Sequence, residues 1–152
     1  MKARAQTPRK DSIRVDTGAK RIEVNDDGEY ITLNFADQSF PMRFYEMMDD
    51  FEKKRPEYER RAQELDQDES LTQEERTRRG LGLNLEMHAY LKTQIDALFG
   101  PETCRKVFGD IVPGVDLYTE FLNQLTPYFE KYGKERQKKL EQKYSAARRG
   151  NV

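Results

Sequence analysis

The chain has 152 residues, of which 36% are charged and only 36% hydrophobic. With a mean hydropathy of −1.01, it holds too little apolar material for a large three-layer enzyme core. It holds enough for a small core under a wide polar surface. The formal net charge is −1, which at face value favours neither a general nucleic-acid binder nor a binder of acidic substrates.

That near-neutrality is a cancellation between blocks. Residues 1–21 carry seven basic groups against two acids, and residues 131–152 carry eight against two. The stretch between them has twelve basic groups against twenty-four acidic ones. The body is therefore acidic and both ends are basic, a pattern that favours docking between copies. One cysteine, Cys104, cannot form an intrachain disulfide, which fits a reducing cytoplasm. Cys104 and the single His88 cannot complete a tetrahedral zinc site, so no metal and no cofactor is expected. No apolar run is long enough to span a membrane. Met1 to Lys10 is basic without an apolar stretch, so no secretory signal is expected.

In chain order, residues 1–20 read as a flexible basic arm whose main apolar residues are Ile13 and Val15. Ile22 and Val24, then Ile31, Leu33 and Phe35, alternate with polar residues around Asp26-Asp27-Gly28. Period-two alternation about an Asp-Gly turn predicts a β-hairpin. Ile13 and Val15 can add a third, edge strand through a turn at Asp16-Thr17-Gly18. Ser39 as N-cap and Pro41 in the first turn open a helix with Phe44, Met47, Met48, Phe51 and Tyr58 on one stripe. Pro56 predicts a kink or break, because Arg55 before it is pushed out of the α region.

Residues 66–80 contain one apolar residue, Leu71, and read as a charged linker or a frayed helix extension. Ser70 and Thr72 are available there as caps ahead of Glu74 and Glu75. Leu85, His88, Leu91, Ile95 and Leu98 then mark a helix that Gly100 ends. A short helical element fits between Pro101 and Gly109. From Asp116 a long helix carries Leu117, Tyr118, Phe121, Leu122, Leu125, Tyr128, Phe129 and Tyr132, with a kink expected at Pro127. The fold class is α+β, mainly α: an N-terminal hairpin, two- or three-stranded, followed by about four helices. Residues 21–134 form the single domain, and 135–152 form a basic helical extension and tail.

Catalytic constellations are not apparent. His88 lies on an apolar helix face and reads as a core-edge histidine, not a general base. Cys104 sits near a helix start beside Arg105 and Lys106, which lowers some thiol pKa values, but no partner base accompanies it. A structural cysteine is the simpler reading. Gly80 and Gly82 follow no strand and lack the lysine of a phosphate loop. Asp26-Asp27-Gly28 is explained by the turn and is too short for a calcium loop. No enzymatic activity is expected.

The segment Phe99-Gly100-Pro101-Glu102-Thr103-Cys104-Arg105-Lys106-Val107-Phe108-Gly109 is the most distinctive in the chain. With Ile95-Asp96-Ala97-Leu98 before it, it resembles a helix–FGxxTxxKxFG–helix signature of tail-assembly-chaperone-like proteins of tailed phages and prophages of Gram-positive bacteria. The N-terminal strand pair, the helix with Phe44 and Tyr45, and the closing helix with Lys143-Tyr144-Ser145 are similar too, so the likeness covers residues 21–147. It implies a non-enzymatic role in the cytoplasm of the bacterial host. Members coat the long tape measure protein and help recruit tail tube subunits, and many also exist in a longer frameshifted form. Phe99, Gly100, Thr103, Lys106, Phe108 and Gly109 would then be structural signature positions. The charged stretch at 66–80 and the basic arm depart from the family pattern.

A chaperone for a long helical client needs an apolar groove. The expected partner-binding face is Phe44, Met47, Met48, Leu117, Phe121, Leu125, Tyr128 and Phe129, shared between core and groove. The alternative is a small phage protein that uses its basic ends on nucleic acid or as a structural adaptor. Homo-oligomerisation is compatible with both.

Overall fold

The structure, a computed structural model, describes residues 10–150. Two short strands, β1 (Lys20–Glu23) and β2 (Tyr30–Leu33), form an antiparallel hairpin. Four helices follow among the described residues: α1 (Ser39–Gln67), α2 (Gln73–Phe99), α3 (Thr103–Phe108) and α4 (Val115–Gly150). The α+β, mainly helical architecture read from the sequence is the one observed.

The hairpin register pairs Ile22 with Ile31 and Lys20 with Leu33. Ile31 and Leu33 are thus buried on one face, while Thr32 on the other is exposed. Gly28 takes a φ of +79° in the turn, where a side chain would be strained. Asn25, which sequence reasoning passed over, organises the turn. Its Oδ1 accepts from the N–H groups of Asp27 (3.0 Å) and Glu29 (3.1 Å), an Asx turn of the kind short polar side chains favour.

No third strand forms among the described residues. Asp16 Oδ1 does accept from Gly18 N–H at 2.8 Å, but Ile13 and Val15 remain 93% and 80% exposed. Residues 1–9, the rest of the expected arm, lie outside the described residues.

Helix α1 starts one step away from expectation. Ser39 is its first residue, and Asp37 Oδ1 accepts from Ser39 N–H (3.0 Å) and Ser39 Oγ (2.6 Å). The break at Pro56 does not occur: α1 runs through it unbroken. Pro56 is exposed, so the carbonyl deprived of its partner can turn to water. Arg55 lies within 3.4 Å of Glu52 and 3.8 Å of Glu59, spanning the site. Phe51 and Tyr58 pack on the core either side of the proline. Helix α4 likewise continues through Pro127.

The expected linker at 66–80 shrinks to Asp68–Thr72. Thr72 and Glu75 form a reciprocal capping box, at 3.1 and 3.3 Å, that starts α2. Leu71 is buried beneath the turn. Helices α1 and α2 therefore form a hairpin, tied by Arg61, whose guanidinium donates to both Glu86 oxygens at 2.7 and 3.1 Å. The buried face of α2 is Leu83, Met87, Leu91 and Ile95. Leu85, expected on it, is 53% exposed.

The core is aromatic. Phe129 stacks on Phe44 with ring centres 3.9 Å apart and on Phe40 at 5.3 Å. Phe35 and Phe99 meet this stack edge-on, the arrangement that ring quadrupoles favour.

Candidate functional site

A groove of about 380 Å³ opens between β1, α3 and the first half of α4. Its apolar wall comes from Ile22 and Val24 of the hairpin, Val107 and Phe108 of α3, and Leu117, Phe121, Leu125 and Tyr128 of α4. Glu23, Glu120 and Gln124 supply its polar rim. The groove exists because two strands cannot cover the whole apolar face of a long helix.

The structure divides the partner-binding face expected from the sequence. Phe44, Met47 and Phe129 are core side chains, exposed by no more than 5%, and none of them lines the groove. Met48 is half-buried and borders a separate shallow cleft with Phe51, Thr119 and Leu122 between α1 and α4. Phe121 and Leu125 are buried residues at the groove floor, while Leu117 is half-buried and Tyr128 is 38% exposed. The face was expected to be shared between core and groove, and it is α1 that divides it, covering its Phe129 edge and leaving its Leu117–Tyr128 edge open. The hairpin and α3 residues of the wall were not anticipated; the half-used apolar face of Ile22 and Val24 was the available signal.

The FG signature acts structurally. Gly100 (φ +118°) ends α2 and Gly109 (φ +76°) ends α3. Phe99 and Phe108 pack edge-on against Phe121. Thr103 Oγ1 donates to the Gly100 carbonyl at 2.7 Å. Lys106 serves the hairpin twice: its Nζ donates to the Tyr30 carbonyl at 3.4 Å, and its carbonyl accepts from Asn25 Nδ2 at 3.0 Å. Arg105 adds an ion pair to Glu29 at 2.9 Å, which holds the Glu29 carboxyl below its ordinary range. So α3 fixes the hairpin over α4 and shapes one end of the groove.

Beneath α3 lies a cluster of polar side chains. Asp96 Oδ1 accepts from Cys104 N–H at 3.0 Å, capping α3 from α2. The Tyr118 hydroxyl lies 2.6 Å from His88 Nδ1. Burial first, and then the neighbouring Asp96 charge, push the Cys104 thiol up to about 12. A thiol held protonated is a poor nucleophile, and the cluster reads as packing with its polar groups satisfied. No group of three or more His, Cys, Asp or Glu side chains suited to a metal ion occurs among the described residues. No helix among the described residues is long and apolar enough to cross a membrane.

A second cleft has opposite character. Lys20, Arg136, Lys139 and Lys143 gather around Asp16–Gly18, Phe35 and Tyr132, with the carboxylates of Asp16 and Glu135 among them. Here the basic end of α4 meets the start of the hairpin.

No match to the chain is found among curated proteins or among solved structures. A family pattern does match, from Asp27 in the hairpin turn to the end of α4, and over residues 27–151 the chain thereby belongs to the family of unknown function DUF6673.

Proposed function

We propose that the protein is a non-enzymatic assembly chaperone of a tailed phage or prophage. In this reading it shields apolar helices of the tape measure protein in the host cytoplasm and helps recruit tail tube subunits. The observation that carries the reading is the groove. It offers Leu117, Phe121, Leu125 and Tyr128 along one helix, facing Ile22, Val24 and Val107, behind an acidic rim. An amphipathic client helix can lay its apolar stripe into such a groove through anchors three and four residues apart. The resemblance around Phe99–Gly109 supplies the identity of the client.

Co-expression tests this. The intact chain should keep an otherwise insoluble tape measure protein in solution, and a Leu117→Glu variant that retains its helical signal should not. A client equally insoluble with and without the intact chain would overturn the reading. A very long tape measure gene downstream and a tail tube gene upstream would support it.

The basic cleft favours a second reading, an adaptor for nucleic acid. Four cations against two carboxylates, Asp16 and Glu135, leave one cleft net basic, a phosphate-binding surface without base readout. Retardation of arbitrary duplex DNA that vanishes steeply with salt would favour it over the chaperone.

A further inference from the structure

The geometry points to arm exchange: the segment Ser12–Asp16 of one copy adds as a strand to the open edge of β1 in a second copy, with Ile13 and Val15 entering the groove beside α4.

Three observations carry it. The first is an unpaired edge. Val24 N–H donates to the Glu29 carbonyl at 2.9 Å. That bond sets the phase of the ladder, so Ile22 and Ile31, two residues along each strand, also form a hydrogen-bonded pair. The N–H and C=O groups of Arg21 and Glu23 then point away from β2, and they have no partner among the described residues. The far edge of β2 is guarded by Lys106 on the Tyr30 carbonyl. Successive side chains of a strand alternate between faces, yet Ile22, Glu23 and Val24 all line the groove. The edge of β1 therefore borders that space, and an open edge invites a further strand.

The second is the arm. Ser12-Ile13-Arg14-Val15-Asp16 repeats the alternation of Arg21-Ile22-Glu23-Val24-Asn25. Ile13 and Val15 are the two most exposed large hydrophobic residues described. Added to β1, they would project onto the apolar side while Arg14 shared the solvent face with Glu23. Glu23 and Glu120 at the rim are without an ion-pair partner among the described residues. Lys10 and Arg14 of the arm are the complementary charges.

The third is direction. Along its own body the chain runs opposite to α4. Val24 lies by the groove, Lys20 lies over the Tyr132 ring at 5.5 Å, and Asp16–Gly18 lie beside Glu135, Arg136 and Lys139. The groove ends at Tyr128. The arm is thus carried away from the groove of its own copy and is presented to a neighbour. Every copy has one donor and one acceptor, so reciprocal exchange closes a dimer and one-way exchange builds a row. Arm exchange needs no client, so it stands or falls apart from chaperone activity.

The test uses the full chain. Light scattering in the high micromolar range should give a dimer or larger species. The Ile13→Asp/Val15→Asp variant should be a monomer with unchanged helical signal, since both side chains are solvent-exposed in the single copy. A monomeric native chain, or a variant that stays associated, overturns the proposal. Disulfide trapping separates the occupants. A Val15→Cys chain mixed with a Gln124→Cys chain, both carrying Cys104→Ser, should give a mixed disulfide dimer. Rapid intrachain closure in a dilute chain bearing both cysteines would assign the groove to its own arm and refute exchange.

Discussion

The hydroxyl of Tyr118 on α4 and Nδ1 of His88 on α2 are 2.6 Å apart, and burial assigns the roles in that bond. Tyr118 is fully buried, and that burial raises its pKa, so it keeps its proton and donates. His88 is held below its ordinary value of 6.5, first by burial and then by Lys92, so its neutral imidazole accepts at Nδ1 and carries its hydrogen on Nε2. A histidine with a lowered folded-state pKa favours folding while both states are deprotonated. The contribution is full above 6.5 and is lost as pH falls through 6.5 toward the folded value. Urea midpoints of the native chain and His88→Gln, measured at about pH 7.5 and about pH 5.5, should differ more at the higher pH. A gap that stays constant would refute the assignment.

The Cys104 thiol, pushed up to about 12 by burial and Asp96, is expected to be inert in the folded chain. A thiol reagent at mildly alkaline pH should leave native protein unmodified and label it fully in denaturant. Rapid labelling without denaturant would mean that α3 opens readily.

Asp96 ties α2 to α3 through one hydrogen bond at the start of a six-residue helix. Removing a cap of this kind costs about 1 kcal/mol, and Asp96→Ala should lower stability by that order. The Glu29–Arg105 pair also holds α3 to the hairpin, but both side chains are substantially exposed. Exposed pairs contribute little because solvent screens them, so Glu29→Gln should have the smaller effect. Denaturant titration of the two variants side by side checks the order, and a reversed order would place the anchor of α3 on the hairpin.

The elements were legible wherever a local residue dictates local geometry. Asp27-Gly28 marked the hairpin turn, Gly100 and Gly109 marked helix ends, and Pro41 marked a helix start. Reading failed where the outcome depends on a neighbour in space. Thr72 was legible as a cap, but the charge run at 66–80 hid how far α2 extends and that Leu71 is buried, because a solvated linker and an exposed helix face share a composition. Leu81, Leu83, Leu85 and Met87 allow more than one helical phase, and α1 selects the one through Leu83 and Met87. Pro56 costs a hydrogen bond but not the helix, because packing at Phe51 and Tyr58 continues past it. The apolar face of α4 was visible, but its division into core and groove is made by α1 on one side and the short hairpin on the other.

The two proposals place the client and the arm in one groove, so the two are expected to compete. Leu117→Glu should abolish self-association and client solubilisation together. Ile13→Asp/Val15→Asp should abolish self-association alone and leave client solubilisation intact or improved, since the groove is then unblocked. Sedimentation of each variant and recovery of soluble client provide the two readouts. If the arm variant loses client solubilisation as well, the arm itself contributes to client binding and the two activities are not competitors.

Glycine-to-alanine substitutions should change stability in opposite directions within this chain. Gly80 and Gly82 lie inside α2, and a Cβ built at either meets nothing within 4 Å. Alanine there removes the conformational freedom that glycine gives the unfolded chain, and each replacement should stabilise by about 0.5–1 kcal/mol. Gly109 has equally open surroundings, but its φ of +76° with ψ of −151° lies in a region essentially reserved for glycine, which costs an L-residue about 1–3 kcal/mol. Gly109→Ala should therefore destabilise although no clash occurs. Thermal melts of the three variants measure both signs. A stabilised Gly109→Ala would mean that the end of α3 relaxes to an ordinary right-handed turn, and the FG step would then lose its structural explanation.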